Sequence, residues 1–249
     1  MHSFKLESYG ISDIGLVRQN NEDVWCILPE LSFFALADGM GGHNAGEIAA
    51  REAISQLCKI LTEKMKTYDT GPSAERIASD LGQSIREANA WVYKMSGTDE
   101  ELRGMGTTLC CFLLADRQLI HAHIGDSRIY HYNGRLSQLT LDHSLRSELI
   151  ASGRLDEQTA PMFAFKNVIT RAVGTSAQVE PEIGIHPVNA DDIFFLCSDG
   201  LTDHVSSREM QAIIQQSESI QEAADTLVNT AKIKGGNDNI SIVIVKVFV

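Results

Sequence analysis

Hydrophobic residues recur at helical spacing over two long stretches of this 249-residue chain. From 46 to about 65, Ile48, Ala49, Ala53, Leu57, Ile60 and Leu61 follow a 3.6-residue period, and from 73 to 95 so do Ile77, Leu81, Ile85, Ala88 and Val92. A second helix pair is expected at 206–216 and from 219 to about 234, the last stopped by Gly235-Gly236. Residues 24–28, 32–37, 107–115, 118–124, 128–132, 183–187, 193–197 and 240–249 are short apolar runs with strand character. Asn133-Gly134 between Tyr132 and Leu136 predicts a hairpin whose two central residues both take positive φ. Tight turns pair strands antiparallel, and helices that come in consecutive pairs do not alternate with strands. The order therefore predicts an α+β chain of mainly antiparallel sheets with helices layered outside, not a doubly wound parallel sheet.

No Pro/Gly-rich linker and no fixed-period repeat divides the chain, so 1–249 is read as a single domain. Thirty-three Asp and Glu against 21 Lys and Arg give a net charge of −12, without any basic block. That balance lacks the electrostatic footprint of a nucleic-acid or anionic-membrane binder. The 43% apolar content is that of a packed chain, which argues against disorder. The start, Met1-His2-Ser3-Phe4-Lys5, does not open a secretory signal, and no stretch has the apolar length of a membrane helix. Cys26, Cys58, Cys110, Cys111 and Cys197 show no C-x-x-C spacing, the pattern of reduced structural thiols in a cytoplasmic protein.

Three apolar strands end alike: Phe34-Ala35-Leu36-Ala37-Asp38-Gly39, Ala122-His123-Ile124-Gly125-Asp126, and Phe194-Phe195-Leu196-Cys197-Ser198-Asp199-Gly200. Asp238 follows Gly235-Gly236 at the entrance of the last run. One Asp-Gly after a strand is an ordinary turn. Four aspartates at the mouths of buried strands converge if those strands share a sheet system, and like charges so close require a cation. Carboxylates and backbone carbonyls are the hard oxygen donors that suit magnesium or manganese, and no thiolate or histidine set has zinc spacing. Upstream, Arg18 precedes Glu22-Asp23 within Asp13-Ile14-Gly15-Leu16-Val17-Arg18-Gln19-Asn20-Asn21-Glu22-Asp23, and a guanidinium fork can grip a phosphoryl group at two points.

Those segments, together with Ala37-Asp38-Gly39-Met40-Gly41-Gly42-His43, Met105-Gly106-Thr107-Thr108, His123-Ile124-Gly125-Asp126-Ser127-Arg128-Ile129-Tyr130, Leu139-Thr140-Leu141-Asp142-His143-Ser144, Ile169-Thr170-Arg171-Ala172-Val173-Gly174, Ser198-Asp199-Gly200-Leu201 and Gly235-Gly236-Asn237-Asp238-Asn239-Ile240, carry a resemblance. The chain resembles bacterial-like metal-dependent protein serine/threonine phosphatases of the type 2C family almost end to end. The resemblance implies a four-layer sandwich, two antiparallel sheets packed face to face and flanked by helices on both sides. It implies that Asp38 bridges two Mn2+ or Mg2+ ions, with the Gly39 carbonyl on one and Asp199 and Asp238 on the other. Glu22 or Asp23 would serve the second ion. Asp126 and Asp203, with Asp199, match the positions of a third, weaker metal, and Arg18 matches the phosphate-gripping arginine. The implied activity is hydrolysis of phosphoserine and phosphothreonine by a water activated between the two ions.

One departure concerns the leaving group: animal members resemble Asp-Gly-His where this chain has Asp38-Gly39-Met40. Methionine donates no proton, leaving metal-bound water or the nearby His43 as the source. By resemblance, about 144–168 forms a flap beside the site, and its 160–165 segment could meet a protein substrate or be tucked into the core. Gly39, Gly41, Gly42 and Gly46 do not make a nucleotide loop, because position 44 is Asn44 and no Gly-Lys-Ser/Thr occurs. His121 and His123 read as packed histidines, and Thr107-Thr108 as a structural strand start. The expected partners are phosphoproteins, those of a serine/threonine kinase in the same cell. A silent phosphoprotein-binding module and a phosphodiesterase or small-molecule phosphatase are the competing readings. Two divalent ions would bring the formal charge from −12 to about −8 and turn the pocket attractive to phosphate.

Overall fold

The computed structural model describes residues 5–41, 45–68, 71–156, 159, 163, 165 and 168–248. One sheet runs β1 (Lys5–Asp13), β11 (Ile240–Phe248), β10 (Ile193–Cys197), β7 (Arg128–Tyr132) and β8 (Leu136–Gln138). The other runs β2 (Asp23–Leu28), β3 (Phe33–Met40), β5 (Leu109–Ala115), β6 (Gln118–Ile124) and β9 (Glu182–Pro187), with β4 (Gly106–Thr107) on the end of β3. All of these ladders are antiparallel.

Residues 33–37 of β3, 109–115 of β5, 193–197 of β10 and 242–245 of β11 are apolar without interruption because both faces are covered. On β3, Phe33, Ala35 and Ala37 pack toward the helices α1 (Ala45–Met65) and α2 (Ala74–Ser96), while Phe34 and Leu36 face the other sheet. On β11, Ile240, Ile242 and Ile244 meet α5 (Ser207–Gln216) and α6 (Ile220–Ile233), while Val243, Val245 and Val247 fill the space between the sheets. This alternation makes four layers: helices, sheet, sheet, helices. Alanines do the close work in the first layer. Ala49, Ala50 and Ala53 of α1 share a core with Ala35 and Ala37. Between the sheets, Phe112 joins Phe34 at 5.0 Å and Phe194 at 6.0 Å between ring centroids.

The four long helices match the periodicity, and the serine preceding three of them is an N-cap: Ser73, Ser206 and Ser219 accept from the backbone of Arg76, Glu209 and Glu222. The 107–115 run is not continuous: Thr108 leaves the ladder to bond Asp38, splitting β4 from β5. The Asn133-Gly134 hairpin exists but as a three-residue connection in which only Gly134 (φ 93°) has positive φ. The two-residue turn with positive φ at both positions is Asp116-Arg117 (φ 45° and 63°), between β5 and β6. β8 is the second arm of the predicted Asn133-Gly134 hairpin, whereas β1, α3 (Leu145–Ala151) and the short α4 (Asp199–Thr202) are additional to the sequence expectation. Val249 lies outside the described residues. Cys26 on β2 and Cys58 on α1 approach with their Sγ atoms 3.5 Å apart, and all five cysteines are thiols. No helix among the described residues is long and apolar enough to cross a membrane.

Candidate active site

Strand β3 carries Asp38 to the rim of the sandwich, and its position is fixed by the residues that break the neighbouring strand. Asp38 N donates to Thr108 Oγ1 (2.9 Å), Asp38 O accepts from Thr108 N (2.9 Å) and from Thr107 Oγ1 (2.9 Å), and Thr108 Oγ1 meets Ser127 Oγ (2.7 Å). Thr107 and Thr108 therefore hold backbone, in keeping with a structural role. Gly39 is required where it stands: a Cβ there would lie 2.2 Å from the Gly46 carbonyl at the start of α1.

The partners of Asp38 come from four other places. Asp23 faces it across the β2–β3 ladder. Asp126 sits in the turn after β6, Asp199 opens α4 after β10, and Asp238 precedes β11. The last two strand ends are knitted to the N-terminal segment by residues that sequence reasoning did not single out. Asn239 Oδ1 accepts from Glu22 N (2.9 Å), and its Nδ2 donates to the carbonyls of Ile14 (3.0 Å) and Asn20 (2.9 Å). Ser198 Oγ donates to Asp23 Oδ2 (2.8 Å) and accepts from Ser241 N (3.0 Å). Both belong to the quoted segments, but nothing about one Asn or Ser in a chain announces a three-way backbone clamp.

A cleft of ≈ 240 Å³ results, lined by Arg18, Glu22, Asp38, Asp126, Asp199 and Asp238, with Gly39, Met40, Gly41, Thr108 and Ile169. A second recess shares Arg18, Asp199 and Asp238 with it and adds Asp203. The carboxylates predicted from sequence thus converge, with one distinction: Glu22 lines the cleft, whereas Asp23 is buried beneath it with Oδ1 lacking any hydrogen-bond partner. Arg18 is the sole cationic residue among the described lining residues. Its Nη2 reaches Asp238 Oδ2 at 2.6 Å. His43, Gly42 and Asn44 lie outside the described residues, as do several positions of 157–167; of the 160–165 segment, Phe165 is exposed and Phe163 partly so.

Crowding and burial shift these groups strongly. Burial first, then Asp23, Asp199, Asp126 and Asp238, hold the Asp38 carboxyl well above the usual range. Asp199 is pushed up to about 8 by burial and by Asp126, Asp238 and Asp203, and Asp126 to about 6 by burial and Asp142. Asp23 also rises to about 6, chiefly by burial. Glu22 is raised by burial, with Arg18 opposing. Such a set cannot be ionised together unless a cation compensates it. The donors are oxygens throughout, one of them a buried orphan, so the residues fit hard divalent ions such as Mg2+ or Mn2+.

His121 and His123 do not join this site. His121 Nε2 contacts His186 Nε2 (3.1 Å), and His123 Nε2 contacts the Leu141 carbonyl (2.8 Å). His123, His143 and Glu182 form a separate group with potential ligand atoms within 4.8 Å of one another.

Comparison with known proteins agrees with the geometry. The chain is 36% identical over 239 residues to the serine/threonine phosphatase stp of Listeria welshimeri, covering 94% of this chain and 93% of that protein. It is 35% identical to the protein phosphatase PhpP of Streptococcus pneumoniae, covering 94% and 95%. The crystal structure of the Mycobacterium tuberculosis serine/threonine phosphatase PstP/Ppp superposes with a TM-score of 0.88 at 34% identity over 98% of this chain and 99% of that one. The PstP catalytic domain in complex with two manganese ions gives 0.86 at 34% identity, over 99% and 100%. The model of the family described as protein phosphatase 2C matches residues 13–234, and with carboxylates from five separate segments gathered at one rim, the chain belongs to the protein phosphatase 2C family.

Proposed function

We propose that this chain is a manganese- or magnesium-dependent phosphatase that hydrolyses phosphoserine and phosphothreonine in proteins. The observation that carries the reading is the gathering of Glu22, Asp38, Asp126, Asp199 and Asp238 in one cleft with Arg18 at its mouth. Asp38, Asp199, Asp238, Glu22 and the Gly39 carbonyl would hold the two principal ions. Asp23 supports the site from below, its buried Oδ1 available to a water. Asp126 and Asp203, with Asp199, would hold a third, weaker ion. When bound, the ions supply a water of lowered pKa and neutralise charge on the phosphoryl group.

The side chains do the rest. Arg18, half exposed, can turn from Asp238 to grip two phosphoryl oxygens in plane, a geometry that stabilises the equatorial charge of in-line transfer. Met40 lines the cleft and donates no proton, so water is the preferred proton source for the leaving alkoxide, with His43, outside the described residues, the weaker candidate. The 144–168 segment is the place for substrate selection: its ends are joined by the Ser144–Ile169 bridge and by Leu145 N donating to Val168 O, and Ile169 enters the cleft. Substrates are phosphoproteins of a serine/threonine kinase in the same cell, and five free thiols suit a cytoplasmic location.

A phosphothreonine peptide assay tests this. Hydrolysis should require added Mn2+ or Mg2+ and fall by about 10³-fold or more in Asp38→Asn, the several kcal/mol that a metal site supplies. Full turnover in excess chelator, or preference for nucleotides or cyclic dinucleotides over the peptide, would remove the proposal. Phosphopeptide binding without turnover at saturating Mn2+ would favour a silent binding module.

A further inference from the structure

Behind the turn that carries Asp126 lies a group of titratable side chains, His123, His143 and Glu182, outside the cleft. Gly125 has no side chain to fix it and stands at φ 101°, with the position of a Cβ only 2.7 Å from Thr108 Cγ2. Both of its polar backbone atoms go to one residue. His143 N donates to Gly125 O (2.9 Å), and His143 Nδ1 accepts from Gly125 N (3.2 Å). His143 is itself immobilised: its carbonyl accepts from Thr170 N (2.8 Å), its ring stacks on His123 at 4.5 Å, and it is 5% exposed. On one side its neighbour Asp142 is gripped by Arg128 through two bonds (2.8 and 2.7 Å), and on the other Ser144 caps α3. Three adjacent residues thus anchor the segment at three points.

We infer that His143 is a positioning residue for Asp126, fixing the Gly125 peptide so that the next carboxylate is aimed into the cleft. The inference rests on reading Asp126 as a ligand of the weaker metal. The ring's chemistry supports it. The Gly125 N–H uses the Nδ1 lone pair, while Nε2 lies between Glu182 Oε2 at 3.5 Å and Arg171 Nη1 at 3.3 Å. Burial, His123 and Arg171 push His143 down to about 4, so the Nδ1 lone pair is available at neutral pH. Arg171 Nη1, 3.3 Å from His143 Nε2, argues against the His123, His143 and Glu182 group as a metal site, since a guanidinium cation beside that nitrogen repels an ion and competes for the same ligand atom.

Mn2+ titration of the full chain, counting free ion by electron paramagnetic resonance, together with amide exchange at Gly125, tests the inference. His143→Leu should weaken the weakest Mn2+ class by about 10- to 100-fold, as loss of a ligand's supporting bond does, and speed Gly125 exchange while the tighter classes stay. His143→Asn, whose amide oxygen can accept the Gly125 N–H, should stay within about 3-fold of the parent on the same scale. An unchanged weak class in His143→Leu, equal loss of all classes, or His143→Asn behaving like His143→Leu overturns it. So does Zn2+ binding that His143→Leu abolishes and Asp126→Asn does not, which would make the group a metal site of its own. Asp126→Asn separates the two levels: losing the weak class keeps the ligand reading even where the His143 inference fails, and retaining it overturns both.

Discussion

Arg18 is the residue whose chemistry is most exposed to test. Half of its side chain is in solvent, so its pairing with Asp238 contributes little to stability, and its value lies in being a planar donor at the mouth of an acidic cleft. A charge-assisted hydrogen bond is worth about 1.5–3 kcal/mol, so Arg18→Ala should lower kcat/KM on a phosphopeptide by about 10- to 100-fold with the melting temperature unchanged. Arg18→Lys should recover only part, because an ammonium keeps the charge and loses the fork. Equal rates for Lys and Arg would mean that charge alone matters there. Single residues were the most legible part of this site: each of Asp38, Asp126, Asp199 and Asp238 follows or precedes an apolar strand, and a strand end is a place the sequence marks. Asn239 and Ser198 were not legible, because their work is done through backbone atoms of Glu22, Ile14, Asn20 and Ser241, which are remote along the chain.

At the level of elements, the apolar runs predicted strands well wherever both faces are covered, as in β3, β5 and β11, because burial on two sides leaves no polar position to blur the pattern. The edge strands β2 and β9 were legible as apolar runs, but the edge strand β1 was not. β1 reads Lys-Leu-Glu-Ser-Tyr-Gly-Ile-Ser-Asp, with only Leu6, Tyr9 and Ile11 reaching a core, yet it pairs with β11 over its whole length. Its partner, not its own pattern, makes it a strand. The Asp116-Arg117 turn was missed for a related reason: two non-glycine residues accept positive φ because the flanking ladders β5 and β6 close seven pairs around them. The layer between the sheets is where these elements depend on one another most. Phe112 is fully buried there between Phe34 and Phe194, and Phe112→Ala should cost about 3–5 kcal/mol in urea unfolding. A loss under 1 kcal/mol would mean that the two sheets close over the space.

For the whole molecule, the net charge of −12 is divided between a solvated surface and a cleft whose carboxylates are forced together, and the two respond to pH differently. In chelator-treated protein Asp199 is held up to about 8 in the fold from an ordinary 3.8, and Asp126 and Asp23 to about 6. A carboxyl with a raised folded pKa favours the fold below its unfolded value, and that stability drains away as pH climbs through the folded one, here from about 4 to 8. Buried histidines oppose this: His121, lowered to about 3, and His143, to about 4, lose stability as pH falls below 6.5. A raw melting profile therefore mixes both signs, and the difference between Asp199→Asn and the parent isolates one of them. In chelator, Asp199→Asn should melt higher than the parent by a margin that widens from pH 5 to pH 8. With saturating Mn2+ the order should reverse at pH 8, because only the parent gains the full stabilisation of ligand binding to the folded state. A margin that stays flat across that range would show that Asp199 is not confined by its neighbours, and an order that Mn2+ leaves unchanged would show that it holds no ion.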